Sequence, residues 1–222
     1  MADLNYQNPN DARRETWTQR RLALFGPSRA DVWSKLAEEI GGRFEPGGFW
    51  RGREKVTATV GPWTVTLDHH VVSNGETSTS YTRLRAPYVN ADNFRFLIFR
   101  RHLFSPLAEL MGFQDVEVGH PEFDDAFIIR GSSSYKLCQL FANPRLRQLL
   151  SAQPRVRFEV RDDEGFFRQR FPDGVDMLQF MAVGVIKDID RLKGLFDLFA
   201  ETLHTLCHIG SAYENDPGIA LS

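Results

Sequence analysis

Cysteine is almost missing from this 222-residue chain: Cys138 and Cys207 are the two it has. Two thiols cannot build the disulfide framework of a small secreted domain, and they suit a reducing compartment. Lysine is scarce as well, with five against 22 arginines. Charge of one sign is not in excess: 27 basic and 29 acidic residues leave a net charge of −2. That balance argues against a dedicated nucleic-acid binder, though it leaves room for a local basic patch. Long apolar runs are missing too. The longest, Met177 to Ile186, has ten residues and includes Gln179, half of what a membrane span needs. The opening MADLNYQNPN is polar and has no apolar core, so it does not read as a secretory signal. There is no GxxxxGK[ST] phosphate loop, no HExxH zinc helix and no GxSxG elbow. These absences lead to the expectation of a soluble cytoplasmic protein without membrane association and without a cofactor.

What is present is ordinary globular composition, 42% hydrophobic and 25% charged. A chain of this length buries roughly 70% of its unfolded surface, enough for a core without metal or disulfide. Residues 1–27 read as an N-terminal arm. It carries Trp17, Leu22 and Leu24 among Arg13, Arg14, Arg20 and Arg21, and Gly26-Pro27 cuts it from the body. Ser28 and Asp31 then form the start signal of a helix whose apolar positions are Val32, Trp33, Leu36, Ala37 and Ile40, ended by Gly41-Gly42. Alternation predicts strands over Val56–Val60 and Trp63–Val71, an Asn74-Gly75 hairpin turn, and a Thr/Ser-rich strand over Thr77–Ala86. Phe94 to Phe99 is apolar on both faces, as a buried strand is. A short helix is predicted over Leu103–Met111.

Helix, antiparallel strands and helix then recur. Phe123–Ile129 reads as a strand, with Phe123, Phe127 and Ile129 facing inward. Ser132 or Ser133 caps one helix, and Asn143-Pro144 starts another. Strand patterns follow at Val156–Val160, Phe166–Phe171 and Met177–Ile186. A long helix is predicted from Asp188 to Ile209, with Ile189, Leu192, Phe196, Phe199, Leu203 and Leu206 as its stripe. The predicted fold class is α+β: antiparallel sheet with helices packed on one face, in a single domain over 28–222. A diverged internal duplication would place its halves at 28–112 and 122–210.

Four groups of residues could carry chemistry. Asp197, Glu201, His204 and His208 fall within about 60° of one another on the last helix, opposite its stripe. Carboxylates and imidazoles at i,i+3 and i,i+4 can hold a divalent metal, although a solvated helix face is the simpler explanation. His69 and His70 point to opposite faces of one strand, so they cannot share a metal. Arg155, Arg157, Arg161, Arg168 and Arg170 alternate in two adjacent strand patterns and would line one face of a hairpin that could take phosphate or nucleic acid. Glu109 to Asp125 holds six acids and no Lys or Arg, an opposite pole for the arm's arginines.

Gly112-Phe113-Gln114-Asp115-Val116, then Gly119, then Phe123-Asp124-Asp125-Ala126-Phe127-Ile128-Ile129-Arg130-Gly131 resembles a bacterial domain family of unknown function. Members of that family carry an FD..F.V.G strand after a short helix. The resemblance covers about Val56 to Asp190. It implies an uncharacterised domain and offers no catalytic residues to carry over.

The functional expectation is a non-enzymatic binding or protein-interaction module that forms a homodimer through its arm. A metal protein or enzyme centred on the last helix is the first alternative. Nucleic-acid or phosphate binding by the arginine hairpin is the second.

Overall fold

The computed structural model describes residues 26–48, 54–73, 75–101, 114–163 and 171–221. Residues 1–25 of the arm, the Leu103–Met111 helix, Asn74 and most of the Phe166–Phe171 strand lie outside them.

Helix α1 spans Arg29–Glu39 and starts as the sequence signals. Ser28 Oγ accepts from the Asp31 backbone N–H, and the Asp31 carboxylate accepts from the Ser28 N–H at 2.8 Å. That reciprocal cap satisfies two of the helix's orphan donors. At the other end Gly41 takes φ +65°, and a Cβ on Gly42 would sit 2.8 Å from the Thr57 carbonyl oxygen. Only glycine lets the helix turn back so tightly against the sheet.

Among the described residues eight strands form one antiparallel sheet: β1 Arg43–Glu45, β2 Lys55–Val60, β3 Trp63–Ser73, β4 Ser78–Val89, β5 Phe96–Arg100, β6 Phe127–Gly131, β7 Arg157–Arg161 and β8 Val175–Val183. Their order is β1-β2-β3-β4-β8-β7-β5-β6. The remaining described helices are α2 Pro121–Ala126, α3 Ser134–Phe141, α4 Pro144–Ser151 and α5 Ile189–His208. Helix residues and one face of the sheet share the main core, which contains Trp33, Leu146, Phe158, Phe180, Phe199 and Leu203. The α+β class with helices on one face is therefore what the chain adopts.

The first four strands form a meander in sequence order. In the second half β6, not β5, takes the edge, and β5 pairs only with β6 and β7. A simple duplication would give a second meander. In addition, β5 precedes residue 112 yet pairs with β6 and β7, which follow it.

Residues Phe123–Ala126 are helical, and the strand begins only at Phe127, which corrects the expected strand over Phe123–Ile129. Pro121 occupies the first turn, where its fixed φ favours a helix. The Asp124 carboxylate accepts from the backbone N–H groups of Val118, Gly119 and His120, at 2.9–3.1 Å. Phe123 and Phe127, spaced i,i+4, bring their ring centroids to 4.6 Å, and Phe123 packs on Phe141 at 5.3 Å. The same apolar letters fit period two and period four; the proline and the carboxylate cap decide for the helix. Strand β1 is a further difference. Three residues with one apolar side chain give no periodic signal, and pairing with β2 alone makes them a strand.

The long helix matches its predicted stripe: Leu192, Phe196, Phe199, Leu203 and Leu206 are buried. We expect Leu203→Ala to cost about 2–5 kcal/mol, as a fully buried leucine does. His208→Ala, on the exposed face, should cost under about 0.5 kcal/mol. Chemical denaturation of both variants checks this, and equal losses would reverse the assignment of the two faces.

Candidate functional site

Strand alternation puts a second set of side chains on the face without helices. Across neighbouring strands, register aligns Thr66 with Arg85, Gln179 and Glu159 in one row. The next row is Asp68, Arg83, Met181 and Arg157. This polar face is buried: Asp68, Arg83, Arg85, Glu159 and Gln179 are each at most 4% exposed. Leu97, Phe99 and Ile128 make a separate small apolar cluster there.

Charged groups buried this deeply must be paired. Asp68 accepts a two-pronged bond from Arg83, Nε to Oδ1 and Nη2 to Oδ2, both 2.8 Å. Arg85 Nη2 reaches the same Oδ2 at 2.5 Å. Burial alone would raise the Asp68 pKa; hydrogen bonds and charge from the two guanidinium groups outweigh it and hold the carboxyl below its ordinary value. Glu159 repeats the arrangement. Arg157 grips it at 2.9 and 2.8 Å, Arg161 stands 3.7 Å away, and Gln179 Nε2 donates to it at 3.1 Å.

Of the arginines expected to form a basic hairpin face, Arg157 and Arg161 are thus engaged with carboxylates, Arg161 also with Asp163 at 2.7 Å. Arg155 is exposed just before β7. Arg168 and Arg170 lie outside the described residues.

The four residues on α5 do not form a ligand set. Asp197 pairs with Arg145 at 3.4 Å. Glu201 accepts from Asn143 Nδ2 at 2.5 Å. His204 stands edge-on to Trp63, ring centroids 5.3 Å apart, and His208 is exposed in the last turn. Among the described residues no group of three or more His, Cys, Asp or Glu side chains is placed to hold a metal ion. A shared helix face fixes only angle, and each of the first three side chains leans toward a different neighbour. Of the histidine pair, His69 is opposite Thr82 and His70 opposite Tyr81 on the two faces, both partly exposed.

A serine, a lysine and an aspartate meet where α3 approaches the end of α5. Lys136 Nζ donates to Ser211 Oγ at 2.8 Å and is hydrogen-bonded to the Asp92 carboxylate. Ser211 Oγ in turn donates to the Asp92 carboxylate at 3.3 Å, so the three side chains tie the segment after α5 to the loop between β4 and β5. Nearby, Asn90 Nδ2 donates to Asp176 at 2.5 Å, and Arg95 bridges Asp176 and Asp162. Burial pushes the Asp176 carboxyl up in spite of these partners, and it pushes the Tyr88 phenol up strongly.

Among the open surfaces of the described residues, two lie on the sheet. One is the far end of β3, β4 and β8, where Val71, Val72, Val183 and Val185 are 37–48% exposed. The other is a cavity of about 670 Å³ on the helix-free side of β1, β2 and β3, lined by Thr57, Thr59, Thr64 and Thr66 with Lys55 and Arg43. The segment after α5 lies along it. Neither surface was read from the sequence. Alternating Thr57/Thr59 and Thr64/Thr66 in paired strands was the available signal for the second.

Among the described residues no helix is long and apolar enough to cross a membrane. No protein-family model matches the chain, and no curated protein matches it. Among solved structures it is similar to the crystal structure of the mycobacterial trehalose monomycolate transport factor A, TtfA. Identity is 8%, the alignment covers 78% of this chain and 95% of that one, and the TM-score is 0.43.

Proposed function

We propose that the protein is a non-enzymatic interaction module that works as a homodimer. The observation that supports this reading is the valine end of the sheet. Val72 and Val183 lie on the helix-free face, opposite Thr79 and Tyr81 of the intervening strand β4. Val71, opposite Ser80, is exposed on the other face of the same strand end, and Val185 follows the end of β8. Two strand spacings separate β3 from β8, about 10 Å, so Val72 and Val183 belong to one patch. Exposed aliphatic residues grouped in this way mark a contact surface.

The place where the arm joins the body supports the same reading. Pro27 O accepts from Lys187 Nζ at 3.0 Å, two residues beyond Val185. The Trp33 indole N–H donates to Ile186 O at 3.4 Å. The arm, with Trp17, Leu22 and Leu24, therefore starts beside the valine patch. A segment this short has too few residues to bury its own Trp17, Leu22 and Leu24, so they need a surface. A two-fold dimer in which each arm covers the partner's valine end satisfies both.

Light scattering at about 50 µM should give twice the chain mass for the unaltered protein and the single-chain mass for Val72→Glu/Val183→Glu. Both positions are solvent-facing, so the double variant should keep its melting temperature to within a few degrees. A monomeric unaltered chain would end this reading. A dimer indifferent to the two glutamates would remove the valine end from it.

A further inference from the structure

The threonine-lined trough on β1, β2 and β3 already has an occupant from this chain, and the way it is held is informative. Up to Tyr213 the segment after α5 is tied firmly to the sheet: Ala91 N–H donates to Ser211 O at 3.0 Å, and Tyr213 N–H donates to Val89 O at 3.0 Å. Beyond it, residues 216–221 rest on two attachments. The Asp216 carboxylate accepts the Thr64 backbone N–H at 2.9 Å through Oδ2. Leu221 is buried to 8% exposure. Asp216 Oδ1 takes the Gly218 N–H at 2.7 Å, and Gly218 at φ +69° turns the chain between the two attachments. Among the described residues no backbone hydrogen bond joins 216–221 to the sheet.

A strand integral to a sheet exchanges backbone bonds along its length. This segment instead uses one carboxylate on one amide and one aliphatic side chain, over a cavity of about 670 Å³ that it leaves largely unfilled. We propose that the trough is a binding site for an extended protein segment bearing a carboxylate and, about five residues further on, a large aliphatic side chain. The chain's own Asp216–Leu221 is its internal competitor. The carboxylate seat is the Thr64 N–H; Lys55 and Arg43 on the trough wall are balanced by Glu45, which stands 3.4 and 4.0 Å from them, so the backbone amide rather than net charge selects the carboxylate. The threonine hydroxyls offer donors and acceptors to an incoming backbone. The inference does not depend on the dimer, because the trough and the valine patch are formed by different residues.

A tethered competitor of this kind acts at an effective concentration of about 1 mM. If the free segment binds with a Kd of about 0.1 mM, release of the tether should tighten its apparent affinity about tenfold. The probe is the fluorescently labelled heptapeptide Asn-Asp-Pro-Gly-Ile-Ala-Leu, titrated by anisotropy into the full chain and into Asp216→Ala/Leu221→Asp. The expected result is binding about tenfold tighter in the variant, lost when the peptide's Asp is replaced by Asn, and weakened by adding Thr59→Phe on the exposed trough wall. Equal affinity for both proteins, including no binding to either, overturns the proposal. A second measurement needs no variant. In the unaltered chain the Thr64 amide should exchange hydrogen at least about 100-fold faster than the Leu67 amide, because its acceptor leaves without opening the sheet. Equal protection at the two amides also overturns it.

Discussion

Replacing Asp68 by asparagine should lower stability by about 3–5 kcal/mol, since it removes the negative charge that faces two buried guanidinium groups. Arg83 and Arg85 are 3% and 1% exposed and both bond this carboxylate. For a chain of this size that loss corresponds to a fall of roughly 6–20 °C in Tm. Asp197→Asn is the matched control. It breaks an ion pair whose side chains are 51% and 61% exposed, which contributes about 0–1 kcal/mol. Thermal melting of the two variants tests whether burial sets the magnitude; equal losses would mean that it does not.

The same residue sets part of the acid limb. The Asp68 pKa is lower in the folded chain than its ordinary value of 3.8. Its contribution is therefore complete above about pH 4 and disappears as pH falls through the depressed folded value. Asp176 has the opposite sign. Its pKa is raised by burial, so protonation relieves the folded state first, and its contribution grows as pH falls. Asp68→Asn should flatten the loss of stability below pH 4, and an unchanged acid limb would show that Asp68 does not titrate as described.

Phe158→Ala should cost about 3–5 kcal/mol. Phe158 is fully buried on β7, opposite Ile98 of β5 and Phe180 of β8. Its ring stands 5.6 Å from Phe96 and 5.7 Å from Phe199 of α5. The side chain thus couples three strands to the long helix, and its removal leaves a cavity that four rigid neighbours cannot fill. Tyr213→Ala removes a ring of similar size that is 58% exposed and should stay within about 0.5 kcal/mol. Denaturant midpoints compare the two. A loss below 1 kcal/mol for Phe158 would mean that the helix layer does not bear on the sheet at this point.

Elements with strong local signals were legible in the chain itself. The Ser28/Asp31 cap, the α5 stripe, the alternation in β2 and β3 and the Asn143-Pro144 start each depend on neighbours within a turn or two, so sequence alone determines them. Helices on one face of an antiparallel sheet follow from those periods. Tertiary structure alone decided the rest. Phe123 and Phe127 fit either period until Pro121 and the Asp124 cap selected the helix. Asp68 and Glu159 look solvent-facing by alternation, since a polar residue at every second position is the ordinary mark of a wet sheet face. Cross-strand register brings Arg83 and Arg85 of β4 onto Asp68 and Gln179 of β8 onto Glu159, whose arginines are on its own strand, and register between segments distant in sequence leaves no local trace. The α5 carboxylates and imidazoles share a helix face by sequence, yet Arg145, Asn143 and Trp63 draw three of them apart. The site of self-competition at Thr64 depends on Asp216, 152 residues away, and only folding brings that pair within hydrogen-bond distance.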